Sequence, residues 1–202
     1  MGEAAESLGW EVFSVDWQPF EKINLSIDIE FLTPEHIPFI PDHVHMSPDC
    51  TSYSVAAIST HRNGVHPISE YAKKCDVVNQ NALRILSHFL KLNTRMTFTI
   101  ENPRGMLRKM PWMFGIDRRT VWYCQYGDTR AKPTDFWCNN FRSVINPGGW
   151  NPKRECFNSN RRCHHEASPR GSVTGTQGLK NDYERSRIPN ELCIEILKSC
   201  HG

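Results

Sequence analysis

The chain has 202 residues, enough for one domain with a sizeable hydrophobic core. Its contents of 39% hydrophobic and 23% charged residues are ordinary for a soluble globular protein. A formal net charge of +2 does not by itself indicate a nucleic-acid partner. No apolar run approaches the roughly 20 residues of a membrane span, which excludes a helical membrane protein.

The eight cysteines of the chain are expected to be reduced thiols. No secretory signal peptide precedes them, which favours a cytoplasmic location. Catalysis or metal binding is then a commoner use of the cysteines than a disulfide framework. Most arginines lie between residues 104 and 187, so a basic face is expected in the second half of the chain.

The N-terminal segment has the pattern of a nucleotide-binding βαβ fold. Residues 1–8 predict a helix that ends at Gly9, and residues 11–15 predict a strand that ends at Asp16. This order is typical of the second unit of such a fold, in which the acid accepts hydrogen bonds from ribose hydroxyl groups. A capping or loop role is the alternative for Asp16.

The first unit of that fold, a strand and a glycine-rich turn, is not found before the predicted helix. We expect that the given sequence starts late, because loss of a central parallel strand would expose backbone groups of its neighbours. A real departure that weakens cofactor binding is the alternative. A third strand is predicted at residues 25–29, with Asp28 near its end and Glu30 after it.

A candidate nucleophile follows the next predicted strand. Val44 and Met46 alternate with histidines, which predicts the last residues of a buried strand. Residues 47–49 end this strand, and Cys50 lies in the turn that follows. Because open α/β sheets bind ligands at the carboxyl ends of their strands, this thiol is well placed for chemistry. A small buried cysteine near a turn is the alternative.

A long helix leads to a second polar loop. Residues 69–92 predict a helix with Ser69 as its N-cap, because apolar side chains recur along it at spacings of three and four. Residues 96–100 then form a β-rich run that ends in the polar sequence ENPRG, from Glu101 to Gly105. A helix between two strands predicts a right-handed crossover, which places Glu101 and Cys50 at the ends of neighbouring strands.

The second half predicts an antiparallel hairpin, an irregular segment and a closing helix. Residues 118–126 form a predicted strand, with residues 135–138 as its partner. Residues 146–178 contain several glycines and prolines and few apolar side chains, which favours a loop-rich insertion. Residues 184–200 predict the final helix, with Pro189 near its start.

The Cys50 turn and the Glu101 loop, in this order, resemble the DNA methyltransferases that modify carbon 5 of cytosine. That family carries a Pro-Cys loop after its fourth strand and a Glu-Asn-Val loop after its fifth. Its short phage and prophage members have the pattern SPPCTxYS … ENPR, and this chain reads SPDCTSYS and ENPR. Residues 126–132, YGDTRAK, are similar to the family's YG…QRR stretch, and residues 186–189 weakly resemble its Asn-x-Val-Pro motif.

The resemblance implies an α/β fold of the class I SAM-dependent methyltransferase (Rossmann-like) type, with an antiparallel hairpin and with the first strand absent. The sheet is expected to be mostly parallel, with helices on both faces. Residues 1–145 would form the catalytic core, residues 146–180 a small target-recognition insertion, and residues 181–202 a closing helix that packs back on the core. A bacterial or phage-infected host cell and a monomeric state are the corresponding expectations.

The resemblance also implies transfer of a methyl group from S-adenosylmethionine to carbon 5 of cytosine in DNA. Cys50 would be the nucleophile and Glu101 the acid at N3. Asn102 would position the Glu101 loop, and Arg130 would steady the base or its phosphate. Expected cofactor contacts are Asp16, Trp17, Asp28, Ile29, Ser47 and Pro48. Expected DNA contacts are Ser52, Ser54, Arg104, Lys132, Arg170, Thr174 and Gln177.

Two departures from the family pattern leave alternatives open. Asp49 stands where the family has proline, and a carboxylate beside the thiol disfavours the thiolate. The glycine-rich turn that wraps the methionine part of the cofactor is missing, so weak or no binding of S-adenosylhomocysteine is expected. One alternative is a degenerate methyltransferase-like protein that binds DNA without turnover. The other is a methyltransferase for RNA or a free nucleotide, which the small recognition segment favours.

A second constellation of possible ligands lies in the predicted insertion. It comprises Cys156, Cys163, His164 and His165. Thiols and imidazoles this close together can bind zinc, with Cys124 or Cys138 as a further ligand, although the spacing is not a standard zinc-finger spacing. Packing or DNA contact is the alternative. The following stretch, residues 169–178, suits backbone amides approaching phosphate, or a plain flexible loop.

Overall fold

The computed structural model describes residues 1–156, residue 165 and residues 182–200. Within them the chain is a mixed α/β structure, with one mixed four-stranded sheet and two separate strand pairs. The helices are α1 Gly2–Ser7, α2 Ile58–His61, α3 Glu70–Leu92, α4 Asp182–Ser186 and α5 Asn190–Ser199. The strands are β1 Val15–Asp16, β2 Leu25–Ser26, β3 His43–Met46, β4 Arg62–Asn63, β5 His66–Pro67, β6 Thr97–Pro103, β7 Arg118–Trp122 and β8 Pro133–Cys138.

The central sheet has the strand order β3-β6-β8-β7. β3 and β6 are parallel, with Met46 opposite Ile100, whereas β8 is antiparallel to both of its neighbours. We call the end of the sheet at which β3 and β6 stop the carboxyl end. Because β8 runs the other way, it begins at this same end, where Thr134 lies opposite Pro103. The segments after β3, after β6 and before β8 therefore meet there.

The central position of β6 agrees with its sequence. Residues 98–102 are all buried, and a run of apolar and β-branched side chains is typical of a strand that is covered on both faces. Pairing with β8 continues as far as Pro103. Glu101 and Asn102 therefore lie inside the strand, not in the loop after it as predicted.

The long helix α3 confirms its prediction. Ser69 is the N-cap, and its side chain accepts a hydrogen bond from Ala72 N at 3.1 Å. The buried stripe includes Cys75, Ile85 and Phe89, which belong to the same hydrophobic cluster as the interior of β6. The helix is thus the crossover between the parallel strands β3 and β6.

Helices cover both faces of the central sheet, as predicted. Trp137 of β8 packs in the cluster that includes Phe89 of α3. Its neighbour Phe136 points to the opposite face, where it packs in a cluster with Leu192 and Ile196 of α5. Alternation along β8 thus assigns one helix to each face, and the C-terminal helix packs back on the core.

The N-terminal strands are shorter than predicted and form their own pair. β1 and β2 are parallel and separate from the central sheet, so the structure contains a mixed sheet and a pair instead of one mostly parallel sheet. The Asp28 carboxylate accepts a hydrogen bond from Glu30 N at 3.1 Å and caps a 3-10 helix, which ends the extended backbone early. As predicted, α1 stops before Gly9, whose φ is +82°.

Two predicted elements in the second half are interrupted. The predicted strand of residues 118–126 ends at Trp122, and a 3-10 helix, Tyr123–Tyr126, follows it. The predicted helix of residues 184–200 is two helices, because Pro189, which has no N–H to donate, caps α5. Most of the predicted insertion lies outside the described residues. Among the described helices, none combines the length and the apolar character that a membrane crossing requires.

Candidate active site

The Cys50 turn follows β3 and is held by hydrogen bonds of its own residues. Asp49 Oδ1 accepts a hydrogen bond from Thr51 N at 2.7 Å, and Cys50 caps a 3-10 helix of residues 51–53. A carboxylate that bonds the backbone two residues on forms an Asx turn, which shapes the chain where the related pattern has a proline ring. Burial raises the pKa of Tyr71 and its hydrogen bond to Asp49 adds to the rise, so α3 also contacts the turn.

Beneath the turn lies a buried polar network that the sequence patterns did not predict. Arg62 is 3% exposed and donates to Ser52 O at 2.9 Å and to Asp76 Oδ2 at 3.1 Å. Tyr53 OH donates to Asp76 Oδ1 at 2.7 Å. A buried ion pair with several hydrogen bonds fixes the turn to α3. Ser52 is fully buried in this network, so its predicted contact with DNA is not supported.

Glu101 lies on β6 beside the Cys50 turn. It is 3% exposed, and both of its carboxylate oxygens accept hydrogen bonds from hydroxyl groups. Ser47 Oγ lies 2.5 Å from Oε2, and Tyr123 OH lies 2.9 Å from Oε1. Ser47 precedes the turn and Tyr123 follows β7, so the acid joins three chain segments at the carboxyl end of the sheet.

The thiol of Cys50 is half-buried and lies in the field of three charged side chains. Burial raises the pKa of Cys50, the carboxylates of Asp49 and Glu101 raise it further, and the Lys132 ammonium group opposes them. Burial lowers the pKa of Lys132, whose Nζ lies 4.8 Å from the ring centre of Tyr123. A thiol, a buried acid and a cation therefore share one site, in which the resting sulfur is protonated.

The two basic residues before β8 already have partners within the chain. Arg130 was expected at the catalytic centre, but its guanidinium group forms an ion pair with Asp128 and donates to Arg185 O at 3.0 Å. Lys132 was expected to contact DNA, and it is instead the cation that acts on Cys50. The sequence signal was the acid two residues before Arg130, a spacing that favours an Asx turn, and Asp128 Oδ1 accepts from Arg130 N at 2.7 Å.

Asn102 and Gly105 hold the Cys50 turn against the end of β6. The side-chain amide of Asn102 donates to Pro48 O at 3.0 Å, so it links β6 to the Cys50 turn, whereas it was predicted to position the Glu101 loop. Its Oδ1 is buried and finds no hydrogen-bond partner among the residues that the structure describes. A side chain on Gly105 would overlap the carbonyl oxygen of Tyr53, so this close approach requires glycine.

The acids expected to hold the cofactor end the two N-terminal strands. Asp16 Oδ1 accepts a hydrogen bond at 2.9 Å from the backbone N–H two residues on. Asp28 forms an ion pair with Lys74 at 2.6 Å, which lowers the pKa of its carboxyl group. Because β1 and β2 are parallel, both acids lie at the same end of the pair. Of the other expected contacts, Trp17 is 68% exposed and Ile29 packs against the core.

The remaining predicted contacts fall into three groups. Ser47 and Pro48 form hydrogen bonds inside the site, with Glu101 and Asn102, so they brace it. Ser54 Oγ accepts from a backbone N–H at 3.3 Å, and the Arg104 guanidinium group lies 5.4 Å from the ring centre of a tryptophan. Five predicted ligands lie outside the described residues: Cys163, His164, Arg170, Thr174 and Gln177.

A second cluster of reactive side chains follows β7. Cys124, Cys156 and His165 each place one ligand atom within 4.8 Å of the others. Cys156 and His165 belong to the predicted metal-binding set, and Cys124 was one of its two expected further ligands. The other, Cys138, lies on β8, where Asn140 N donates to its Sγ at 3.1 Å.

Comparisons with known proteins assign no family to the chain. No protein-family model matches it, and no curated protein sequence matches it significantly. The chemistry of the site therefore rests on its own residues, which are a thiol, a buried carboxylate and an ammonium group at one end of a sheet.

Proposed function

We propose that the chain is a DNA (cytosine-5-)-methyltransferase that uses S-adenosylmethionine. One observation carries the proposal: a thiol turn and a buried carboxylate meet at the carboxyl ends of two adjacent parallel strands. Cys50 is the proposed nucleophile and Glu101 the proposed acid. Their order, with α3 between them, agrees with the order of the family's two loops.

The chemistry starts with covalent addition, because carbon 5 of cytosine is a poor nucleophile. The Cys50 thiol gives its proton to the Glu101 carboxylate, its sulfur forms a bond to carbon 6, and the electron pair that moves to N3 takes up that proton from Glu101. S-adenosylmethionine, when bound, supplies the electrophilic methyl group that carbon 5 takes up. Water then takes the proton from carbon 5, the bond between carbon 6 and sulfur breaks to release the Cys50 thiolate, and N3 returns its proton through Glu101 to the sulfur. In duplex DNA the base must first be flipped out of the stack.

Two further features of the site support a substrate of this kind. Lys132 is the cation that favours the thiolate of Cys50, against the effects of burial and of Asp49. The buried Oδ1 of Asn102, which is unpaired in the described part of the chain, is an acceptor for a ligand N–H such as the amino group of cytosine. Both lie at the carboxyl end of the sheet, where ligands bind in open α/β folds.

The two cofactor acids fit their proposed roles unequally. Asp16 is half-buried at the end of a parallel strand, which is the position of an acid that accepts hydrogen bonds from ribose hydroxyl groups. Asp28 already pairs with Lys74, so an adenine amino group would have to displace that ammonium group. Of the two acids, Asp16 is therefore the better supported as a proposed cofactor contact.

The strand pairs agree with a doubly wound sheet whose first strand is not among them. In that topology the first strand lies between the second and the fourth. If β1, β2, β3 and β6 are the second to fifth strands, the two parallel pairs fall on either side of that position. This assignment requires that β1 and β3 are not adjacent strands, and among the described residues the two form no strand pair.

Covalent trapping on modified DNA tests the proposal. With S-adenosylmethionine, 5-fluorocytosine in a duplex should trap the protein, because fluorine at carbon 5 cannot leave as the proton does. A duplex with 2-pyrimidinone, whose ring accepts a thiolate without methyl transfer, reports the nucleophile alone. Cys50→Ser should abolish both adducts and leave DNA binding intact, since an alcohol is a far weaker nucleophile near neutral pH. Cys200→Ser, which changes another half-buried thiol, is the matched control.

Each outcome of this experiment decides between the candidates. Adducts that survive Cys50→Ser would place the nucleophile elsewhere. DNA binding with no adduct on either duplex would favour the second candidate, a methyltransferase-like protein without turnover, which the raised pKa of Cys50 already favours. Adducts formed only with the corresponding RNA or free nucleotide would replace DNA as the substrate.

A further inference from the structure

We propose that Cys124, Cys156 and His165 bind a zinc ion. The three ligand atoms lie within 4.8 Å of one another, and Cys156 Sγ lies 3.6 Å from His165 Nδ1. This proposal goes beyond methyl transfer and does not depend on it, since neither Cys50 nor Glu101 takes part.

The spacing of the ligand atoms fits a tetrahedral ion. With zinc–sulfur bonds of about 2.3 Å and zinc–nitrogen bonds of about 2.0 Å, tetrahedral ligand atoms lie roughly 3.5 to 3.8 Å apart. The observed sulfur–nitrogen distance of 3.6 Å lies within this range. The other separations, up to 4.8 Å, need a contraction of roughly 1 to 1.3 Å at most.

The chemistry of the ligands selects the metal. Two thiols and one imidazole are soft and borderline donors, which suit zinc and exclude the hard cations Mg²⁺ and Ca²⁺. Cys156 is fully buried and Cys124 and His165 are half-buried, so the ion would be largely enclosed by protein. Cys124 and Cys156 are not joined to each other by a disulfide bond.

The segments that carry the two thiols are held together without the metal. Cys124 lies in the 3-10 helix Tyr123–Tyr126, whose first and last residues are buried. Lys153, three residues before Cys156, donates through its backbone N–H to Tyr126 OH at 2.8 Å. Its ammonium group donates to Gln125 O at 3.0 Å. Such second contacts preorganise the ligands, which lowers the cost of assembling the site.

The ion would act as a structural clamp. The 3-10 helix at Tyr123 leads directly into the loop of Arg130 and Lys132. Cys156 and His165 come later in the chain, after Trp150. A zinc ion bound by these residues would connect the segment after Trp150 to the 3-10 helix that precedes the Lys132 loop. The predicted role is therefore stability of this corner, not electron or group transfer.

Metal analysis of the full chain tests the site. Protein purified under reducing conditions with zinc supplied should contain one zinc per chain, and cobalt in its place should give the sulfur-to-cobalt absorption bands of a thiolate site. Cys124→Ser, Cys156→Ser and His165→Ala should each weaken zinc binding at least about tenfold, because removal even of a residue that only supports a ligand costs that much. Cys200→Ser should keep wild-type affinity, since its thiol lies outside the cluster.

Three results would overturn the proposal. The first is a chain that takes up no zinc and shows no sulfur-to-cobalt bands, a measurement on the wild type that no folding defect of a variant can obscure. The second is zinc bound with wild-type affinity by all three ligand variants. The third is a disulfide between Cys124 and Cys156. It would lower the mass of the purified chain by two hydrogens and would join the two cysteines in one linked peptide after digestion.

Discussion

The charges around Cys50 set the reactivity of its sulfur at the scale of single residues. Two carboxylates and burial raise the pKa of this thiol, and one ammonium group opposes them. Asp49 has two effects, because it adds a negative charge and also accepts the hydrogen bond from Thr51 N. A proline at this position would remove both effects, whereas asparagine removes the charge and keeps an acceptor oxygen for the turn.

Asp49→Asn should therefore lower the pKa of Cys50, by about one unit or less. The rate at which iodoacetamide alkylates Cys50, followed by mass spectrometry over a pH series, reports the thiolate fraction. The profile of the variant should shift to lower pH. Glu21→Gln removes an exposed carboxylate elsewhere and should leave the profile in place. If Asp49→Asn gives the wild-type profile, the neighbouring charge does not act on the sulfur.

Single residues also show the limit of prediction from the sequence. The sequence predicted that Cys50 and Glu101 lie near the carboxyl ends of neighbouring strands, because each is associated with a β-rich run and a helix separates the two runs. The contacts of Arg130 and Lys132 with Arg185 O could not be predicted, because Arg185 is remote in the chain. Asp76 lies one helical turn after Ala72 on the buried stripe of α3, and nothing in the sequence identified Arg62 as its partner.

The sequence predicted well those helices and strands in which apolar residues recur at a regular spacing. The helix α3 and the strands β3 and β8 lie where they were predicted, and in α3 the apolar pattern and the burial coincide. β6 was predicted to end too early, since its last residues are polar but are paired with β8. Pairing between distant strands is a tertiary effect that local propensity does not contain. This extension of β6 is what brings Gly105 under the Cys50 turn.

Gly105→Ala should destabilise the contact between these two elements. A methyl group there would overlap Tyr53 O, and such overpacking costs about 1 to 3 kcal/mol in the free energy of unfolding. Urea unfolding measures this loss, and alkylation of Cys50 should become faster as the turn moves outward. Gly148→Ala is the matched control, because nothing lies near its added methyl group. Equal stability of the two variants would mean that the loops are not in close contact.

At the scale of the whole molecule, two histidines on β3 link stability to pH. His43 Nδ1 lies 2.8 Å from Thr97 Oγ1, and His45 Nδ1 lies 2.8 Å from Thr99 Oγ1. Burial lowers the pKa of His43 from 6.5 to about 4, and it lowers the pKa of His45 well below its ordinary value. The folded sheet therefore holds both rings neutral, in contact with the hydroxyl groups of β6.

The chain should lose stability on acidification before its carboxyl groups titrate. Between pH 6.5 and pH 4 the unfolded chain binds a proton at His43 that the folded chain does not, so the free energy of unfolding falls as pH falls. From pH 7 to pH 5 this one ring accounts for up to about 2 kcal/mol. Urea unfolding at the two pH values should show a smaller drop for His43→Gln, which keeps a polar partner for Thr97. His66→Gln, at an exposed position, should show the wild-type drop.

The reversed direction of β8 has a consequence for how the chain tolerates change. In a fully parallel sheet, one end carries only the carboxyl ends of the strands. The reversed strand β8 adds its amino end, and the loop before it, to that same end of the sheet. The thiol lies after β3, the acid near the end of β6 and the cation just before β8, while the turns near residues 94 and 139 lie at the opposite end of the sheet. Insertions, fused partners or circular breaks at that far end can accumulate with little effect on the reacting groups. The candidate site and the turns that can tolerate change thus lie at opposite ends of one sheet.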